Sequence, residues 1–226
     1  MEQQAIESAE KNYEECKRIK ENCASSTEID LFFMKLAAFY IDTRRKKKYI
    51  DAIDLLEKCL ISRKIKYGDC DANAASLYFN LGYAHDLSKN FKKAMICYES
   101  AINCESASCA IIARSLTNKA SILCESNKLD DALTFFSDAL RLYDPSRQTP
   151  EEKGSIYFGQ GQVYQKQQKL SEAIDCFDMA LSIYKSTDSD STNENTARLL
   201  QRIADVMIKD DTLQFAYQCT TEALKM

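Results

Sequence analysis

Asn90-Phe91-Lys92-Lys93-Ala94-Met95-Ile96-Cys97-Tyr98-Glu99-Ser100-Ala101-Ile102 sets a pattern that much of this chain repeats. Its apolar and small residues fall three and four apart, the period of an amphipathic helix rather than a strand. A large residue at Phe91 is followed by a small one at Ala94, an aromatic at Tyr98 and a second small one at Ala101. The same order returns at Leu129, Ala132, Phe136 and Ala139, and again at Leu170, Ala173, Phe177 and Ala180. A weaker copy runs from Lys48 to Leu60 around Ala52. The alanines at 52, 94, 132 and 173 stand 42, 38 and 41 residues apart. Self-similarity at such a period marks stacked structural repeats.

A second set of positions accompanies the first. Twelve residues before the last three alanines stand Gly82, Ala120 and Gly161, while Tyr40 breaks the series before Ala52. Four residues earlier again are Leu36, Tyr78, Leu116 and Tyr157. Each unit therefore holds two helices. Its small residues let the two backbones approach, and its large ones fill the space between.

This order of positions resembles the tetratricopeptide repeat. Tyr78, Leu81, Gly82, Phe91, Ala94, Tyr98 and Ala101 carry the best match, and Tyr157, Gly161, Tyr164, Leu170, Ala173, Phe177 and Ala180 a second. Leu116, Ala120, Leu129, Ala132, Phe136 and Ala139 carry a third, with Pro145 near the family's proline position. Leu200, Ala204, Met207, Leu213, Ala216, Thr220 and Ala223 fit a degenerate unit, and Ala9, Tyr13 and Cys16 carry the second-helix pattern alone. Spacings near 42 exceed the family's minimal repeat and are similar to the kinesin light chain type. The resemblance implies an all-α fold, a right-handed superhelical solenoid of antiparallel helix pairs with about 11 helices. As a single domain over 1–226 it has a leading helix at 1–26 and repeats at 27–67, 71–106, 108–145 and 149–186. A degenerate repeat follows at 191–226, and the polar segment 186–195 reads as the loop before it.

Composition agrees with a soluble, core-forming helical chain. Of 226 residues, 45% are hydrophobic and 28% charged, and only five are Gly and two Pro, too few for a turn-rich all-β domain. A net charge of −4 gives no general attraction to nucleic acid or anionic membrane. No apolar run reaches the roughly 18–20 residues that span a bilayer. The start at Met1-Glu2-Gln3-Gln4 lacks the basic flank and apolar stretch of a secretory signal, so a cytoplasmic or nuclear location is expected. Ten cysteines without a Cys-x-x-Cys pair, beside a single histidine, read as reduced thiols packed as small hydrophobes.

No catalytic, metal or cofactor site is expected. Gly159-Gln160-Gly161 lies in a helical stretch and follows no strand, so it is not a dinucleotide loop. Asp130-Asp131 falls at a helix start, where carboxylates favour the positive end of the dipole. His85 takes an aromatic position of its repeat and is expected to be packed.

What the resemblance implies about binding is a concave groove lined by the first helix of each pair. Carried over by position, its wall includes Phe79, Asn80 and Tyr83, then Arg114, Asn118 and Cys124, then Phe158, Gly159 and Gln162, with Arg44 and Arg45 from the first repeat. Asn80 and Asn118 share one position in consecutive repeats, where an amide can pair with the backbone of an extended peptide. The other reading of both is a solvent-facing helical Asn. Phe79, Tyr83 and Phe158 supply pockets, and Arg44, Arg45 and Arg114 select charge. The carboxylate clamp by which some members hold chaperone tails lacks its lysines here, although Asn80 and Arg114 are present.

Arg44-Arg45-Lys46-Lys47-Lys48 is the one dense basic run, and residues 43–66 hold nine basic and three acidic side chains. A solvated turn is its first reading, an acidic segment or a nucleic-acid phosphate its second, and no aromatic platform supports base stacking. The expected function is a non-catalytic adaptor or scaffold that takes a partner peptide or helix in its groove. One alternative is a structural subunit held by its convex face or C-terminal end, where an uncapped helix at 197–226 would self-associate. The other is a nucleic-acid-associated protein using 44–48.

Overall fold

A computed structural model describes residues 46–67, 72–105 and 107–187, with single positions at 35, 37, 200, 201, 203 and 204. All regular structure among the described residues is helical. The helices are α1 (Lys46–Tyr67), α2 (Ala72–Leu87), α3 (Phe91–Ile102), α4 (Cys109–Glu125), α5 (Leu129–Arg141), α6 (Pro150–Lys166) and α7 (Leu170–Thr187). Seven helices, rather than about eleven, are thus described, because the expected leading helix, most of the first helix of the 27–67 repeat and most of the last repeat fall outside the described residues. The chain divides into two compact units, residues 1–111 and 112–226.

Three hairpin turns share one design. The second residue after each first helix adopts a left-handed backbone, at Lys89 (φ 63°), Asn127 (φ 61°) and Gln168 (φ 61°). The next N–H then reaches back to a carbonyl five residues earlier: Asn90 to His85 at 2.8 Å, Lys128 to Leu123 at 2.9 Å, Lys169 to Tyr164 at 3.0 Å. A second bond, spanning three residues, accompanies each, from Lys89 to Asp86, Asn127 to Cys124 and Gln168 to Gln165. This double bond pattern satisfies carbonyls that a helix end leaves open and reverses the chain within three residues. The connection before α6 is longer. There Thr149 has extended backbone, and Pro150 opens the helix at a position where no N–H is needed.

Packing follows the small-against-large order of the sequence. Ala94, Ala101, Ala132, Ala139, Ala173 and Ala180 are buried, as are the rings of Tyr98, Phe136 and Phe177. A Cβ at Gly82 on α2 would stand 2.8 Å from the Tyr98 ring on α3, and one at Gly161 on α6 2.5 Å from the Phe177 ring on α7. Bare backbone at these points is what lets the helices of a pair close on each other. In the first unit Leu55, Leu56 and Cys59 of α1 meet Leu77, Leu81 and Ala84 of α2 and Cys97 of α3. In the second, Ala173, Phe177, Ala180 and Tyr184 form a cluster with Ile203, flanked by Tyr157, Phe158 and Tyr164. Cys59, Cys97, Cys104 and Cys124 are buried thiols, whereas Cys109 is exposed. Burial pushes the Cys97 and Cys176 thiols up to about 11, so both stay protonated at neutral pH.

Candidate functional site

In the second unit, α4 and α6 are the first helices of consecutive pairs, and polar contacts tie them together near both ends. Near the start of α4, Arg114 Nε donates to Glu152 Oε1 at 2.9 Å, and Nη2 donates to the same oxygen. The other carboxylate oxygen accepts from Gln148 Nε2 at 3.2 Å. Gln148 is itself buried, and its Oε1 accepts the backbone N–H of Asp144 at 2.9 Å. One acidic residue in the first turn of α6 therefore holds the α5–α6 connection and α4 at once. Asp144 is stabilised as a carboxylate by the hydroxyl and backbone N–H of Ser146, which draw its pKa below the usual range. Burial, then the charges of Glu152, Glu151 and Asp144, push the Tyr143 phenol upward.

At the other end, Lys166 Nζ donates to the Cys124 carbonyl at 2.6 Å. A cation there sits at the negative pole of the α4 dipole and satisfies a terminal carbonyl. Beside it, Gln167 Nε2 donates to Asp130 Oδ1 at 3.0 Å.

Between these ties the expected wall residues divide. Asn118, Phe158 and Gln162 are half-buried, so each keeps surface for a ligand. The Phe158 ring rests against Phe177 at 5.7 Å, which fixes its inner edge. The Thr117 and Ser121 hydroxyls instead bond carbonyls one turn back on α4. Two expected wall positions are corrected. Gly159 is buried with the Phe136 ring of α5 against it, because it is where α6 crosses the preceding hairpin. Cys124 is buried as well, so only its carbonyl is used. Arg114 is at the surface, but its guanidinium already serves Glu152.

In the first unit, α2 carries Phe79, Asn80 and Tyr83 on one face. The Phe79 ring stacks on Tyr83 at 6.5 Å and meets buried Tyr98 at 6.1 Å, leaving Tyr83 exposed and Asn80 half-buried. Arg44 and Arg45 lie outside the described residues. His85 is only 4% exposed, and its Nδ1 has no hydrogen-bond partner. Burial, then the Lys93 charge, lowers its pKa, and Glu57 opposes them. Among the described residues no three His, Cys, Asp or Glu side chains are grouped to hold a metal ion. No helix among them is long and apolar enough to cross a membrane.

Glu152 and Gln148 were not singled out by the sequence, and Lys166, carried over as a wall position of the fourth repeat, was not paired there with the Cys124 carbonyl. The available signal was an acid 38 residues after Arg114 and a lysine 42 after Cys124, about one repeat apart.

Two stretches, 75–105 and 111–186, match family profiles described as tetratricopeptide repeat. A curated relative, "Protein STIP1 homolog" of Dictyostelium discoideum, is 28% identical over 120 residues, 53% of this chain. The match spans only 21% of that protein. Among solved structures, BtubC (BKLC) from P. vanneervenii superposes with a TM-score of 0.75 at 18% identity, over 99% of this chain and 89% of that one. A putative kinesin light chain with nearly identical TPR-like repeats, from Podosopora anserina, gives 0.65 at 13% identity, over 90% and 96%. At these identities the likeness is one of fold. Its helix hairpins, their small-against-large contacts and the two matched stretches identify tetratricopeptide repeats at 75–105 and 111–186, in a fold similar to the kinesin light chain type.

Proposed function

We propose that this protein is a non-catalytic adaptor that captures a peptide or helical segment of a partner protein along the first helices of its repeats. The observation that carries this reading is the pair of ties between α4 and α6. Arg114–Glu152 at one end and Lys166–Cys124 at the other hold two helices in register, with half-buried Asn118, Phe158 and Gln162 between them. A preorganised wall of amides beside an aromatic edge suits an extended backbone, because little side-chain freedom is lost on binding. Asn80, with Phe79 and Tyr83, offers the same residue types on α2. The full reading includes right-handed stacking of about eleven helices, charge selection by Arg44 and Arg45, and a cytoplasmic or nuclear location. No cofactor takes part.

Arg114 is half-neutralised by Glu152, so an acidic ligand would have to displace an internal carboxylate. This favours uncharged or mixed sequences over acidic tails. A peptide array probed with the full chain tests the reading. Peptides that bind should lose about tenfold in affinity or more when Asn80→Ala and Asn118→Ala are combined, since each amide would contribute a directed pair of hydrogen bonds. Affinity unchanged by the double substitution removes the groove reading.

A further inference from the structure

Unlike the α4–α6 wall, the outer side of α1 presents large apolar side chains to solvent. Ile50 is 69% exposed, Ile61 60% and Ile65 83%. With Asp54 and Glu57 they form a line at spacings of four, three, four and four, opposite the buried face of Ala52, Leu55, Leu56 and Cys59. Isolated exposed isoleucines are ordinary, but three along one face of one helix are not. The same helix carries seven basic and three acidic side chains in a chain whose net charge is −4. Lys58, paired with Asp54 at 2.8 Å, and Lys64, over the Tyr78 ring at 5.7 Å, flank the apolar line.

The complement of this surface is present on α7. Glu172, Asp175, Met179, Ser182 and Ser186 make an exposed line at spacings of three and four, opposite buried Ala173, Phe177, Ala180 and Tyr184. Met179 is 47% exposed, the one large apolar side chain so exposed among the described residues of the second unit. α7 carries three acidic side chains against a single lysine. The Asp178 carboxyl is pushed up by burial and then by Asp175, a crowding of like charge that a neighbouring lysine would relieve.

We propose that the α1 face of one copy docks on the α7 face of a second copy, with Ile61 and Ile65 against Met179 and with Lys58 and Lys64 beside Glu172, Asp175 and Asp178. The contact is heterologous, because the two faces differ and every copy carries both. Its energy comes from covering the isoleucines, and its specificity from charge, so it weakens as salt rises. It leaves the α4–α6 wall open, and it stands whether or not that wall binds a peptide.

Static light scattering of the full chain tests the contact, with far-UV circular dichroism confirming that each variant is folded. The wild type should exceed monomer mass at concentrations of about 100 µM in low salt and return toward monomer in about 0.5 M salt. Ile61→Asp, or Ile65→Asp at the most exposed position, should weaken association about tenfold or more. Lys58→Glu/Lys64→Glu and Glu172→Lys/Asp175→Lys should each be monomeric alone. Mixed together, they should associate again, because the unaltered α1 face of one variant meets the unaltered α7 face of the other. A monomeric wild type at every concentration overturns the proposal. So does association untouched by both isoleucine changes, a mixture that stays monomeric, or self-association retained by Glu172→Lys/Asp175→Lys alone, the last being the result expected of α1–α1 pairing.

Discussion

Replacing Gly159 with alanine tests how tightly the hairpins of the second unit are stacked. A Cβ there would fall on the Phe136 ring, with all three nearest atoms belonging to that ring and the farthest of them 3.0 Å away. Phe136 is fully buried, so the ring has no open side into which to swing. Overpacking of this kind costs about 1–3 kcal/mol, and contact with a rigid ring puts the cost at the upper end. Alanine regains about 1 kcal/mol of helix propensity. The expected net destabilisation is about 2 kcal/mol. For comparison, Phe136→Ala should cost about 3–5 kcal/mol through the cavity it leaves.

The cause is separable from a general weakening of α6. Phe136→Leu shortens the side chain and opens room for the new methyl. Gly159→Ala with Phe136→Leu should therefore cost less than the two single changes together, by about 1–2 kcal/mol. Urea unfolding followed by circular dichroism reads this as displaced midpoints at an unchanged slope. Were Gly159→Ala as stable as the wild type, or were the pair simply additive, α5 and α6 would not be in the contact described.

Three further outcomes are expected. Gln168→Gly should stabilise the chain by about 1 kcal/mol in urea unfolding, because Gln168 holds φ at 61°, a region that costs a side chain and not a glycine; Asn127→Gly should give less, since asparagine tolerates that region better. Glu152→Ala should cost about 1 kcal/mol in the same assay, mostly from leaving buried Gln148 without its acceptor, whereas the half-exposed ion pair with Arg114 adds little. His85 has a lowered pKa in the fold, so below its ordinary value of 6.5 the unfolded chain binds the extra proton first and stability falls with pH; His85→Phe should flatten that decline in urea midpoints measured from about pH 7.5 to pH 5, and an unaltered slope would remove the assignment.

The helical class and the pairing of helices were legible because both rest on local rules. The period of Phe91, Ala94, Tyr98 and Ala101 selects a helix, and that face is the one buried. The turns were less legible. Left-handed backbone is usually announced by glycine or asparagine, and here lysine and glutamine hold it at two of three turns, since the hairpin contacts impose it. Candidate wall residues were placed by position within one repeat, which finds Asn118, Phe158 and Gln162 half-buried. It misjudged Gly159, whose neighbour Phe136 belongs to the preceding hairpin. Glu152 escaped for the same reason: its meaning depends on Arg114 in another repeat, a distance that a pattern read one helix at a time does not connect.

Hydrogen exchange of the backbone, with and without a peptide selected on the array, tests the account most directly. Binding along the first helices predicts slower exchange in α2, α4 and α6, strongest around Asn118 and Gln162, with α5 and α7 unaffected. Slowing confined to α5 or α7, or spread evenly over the chain, would contradict it.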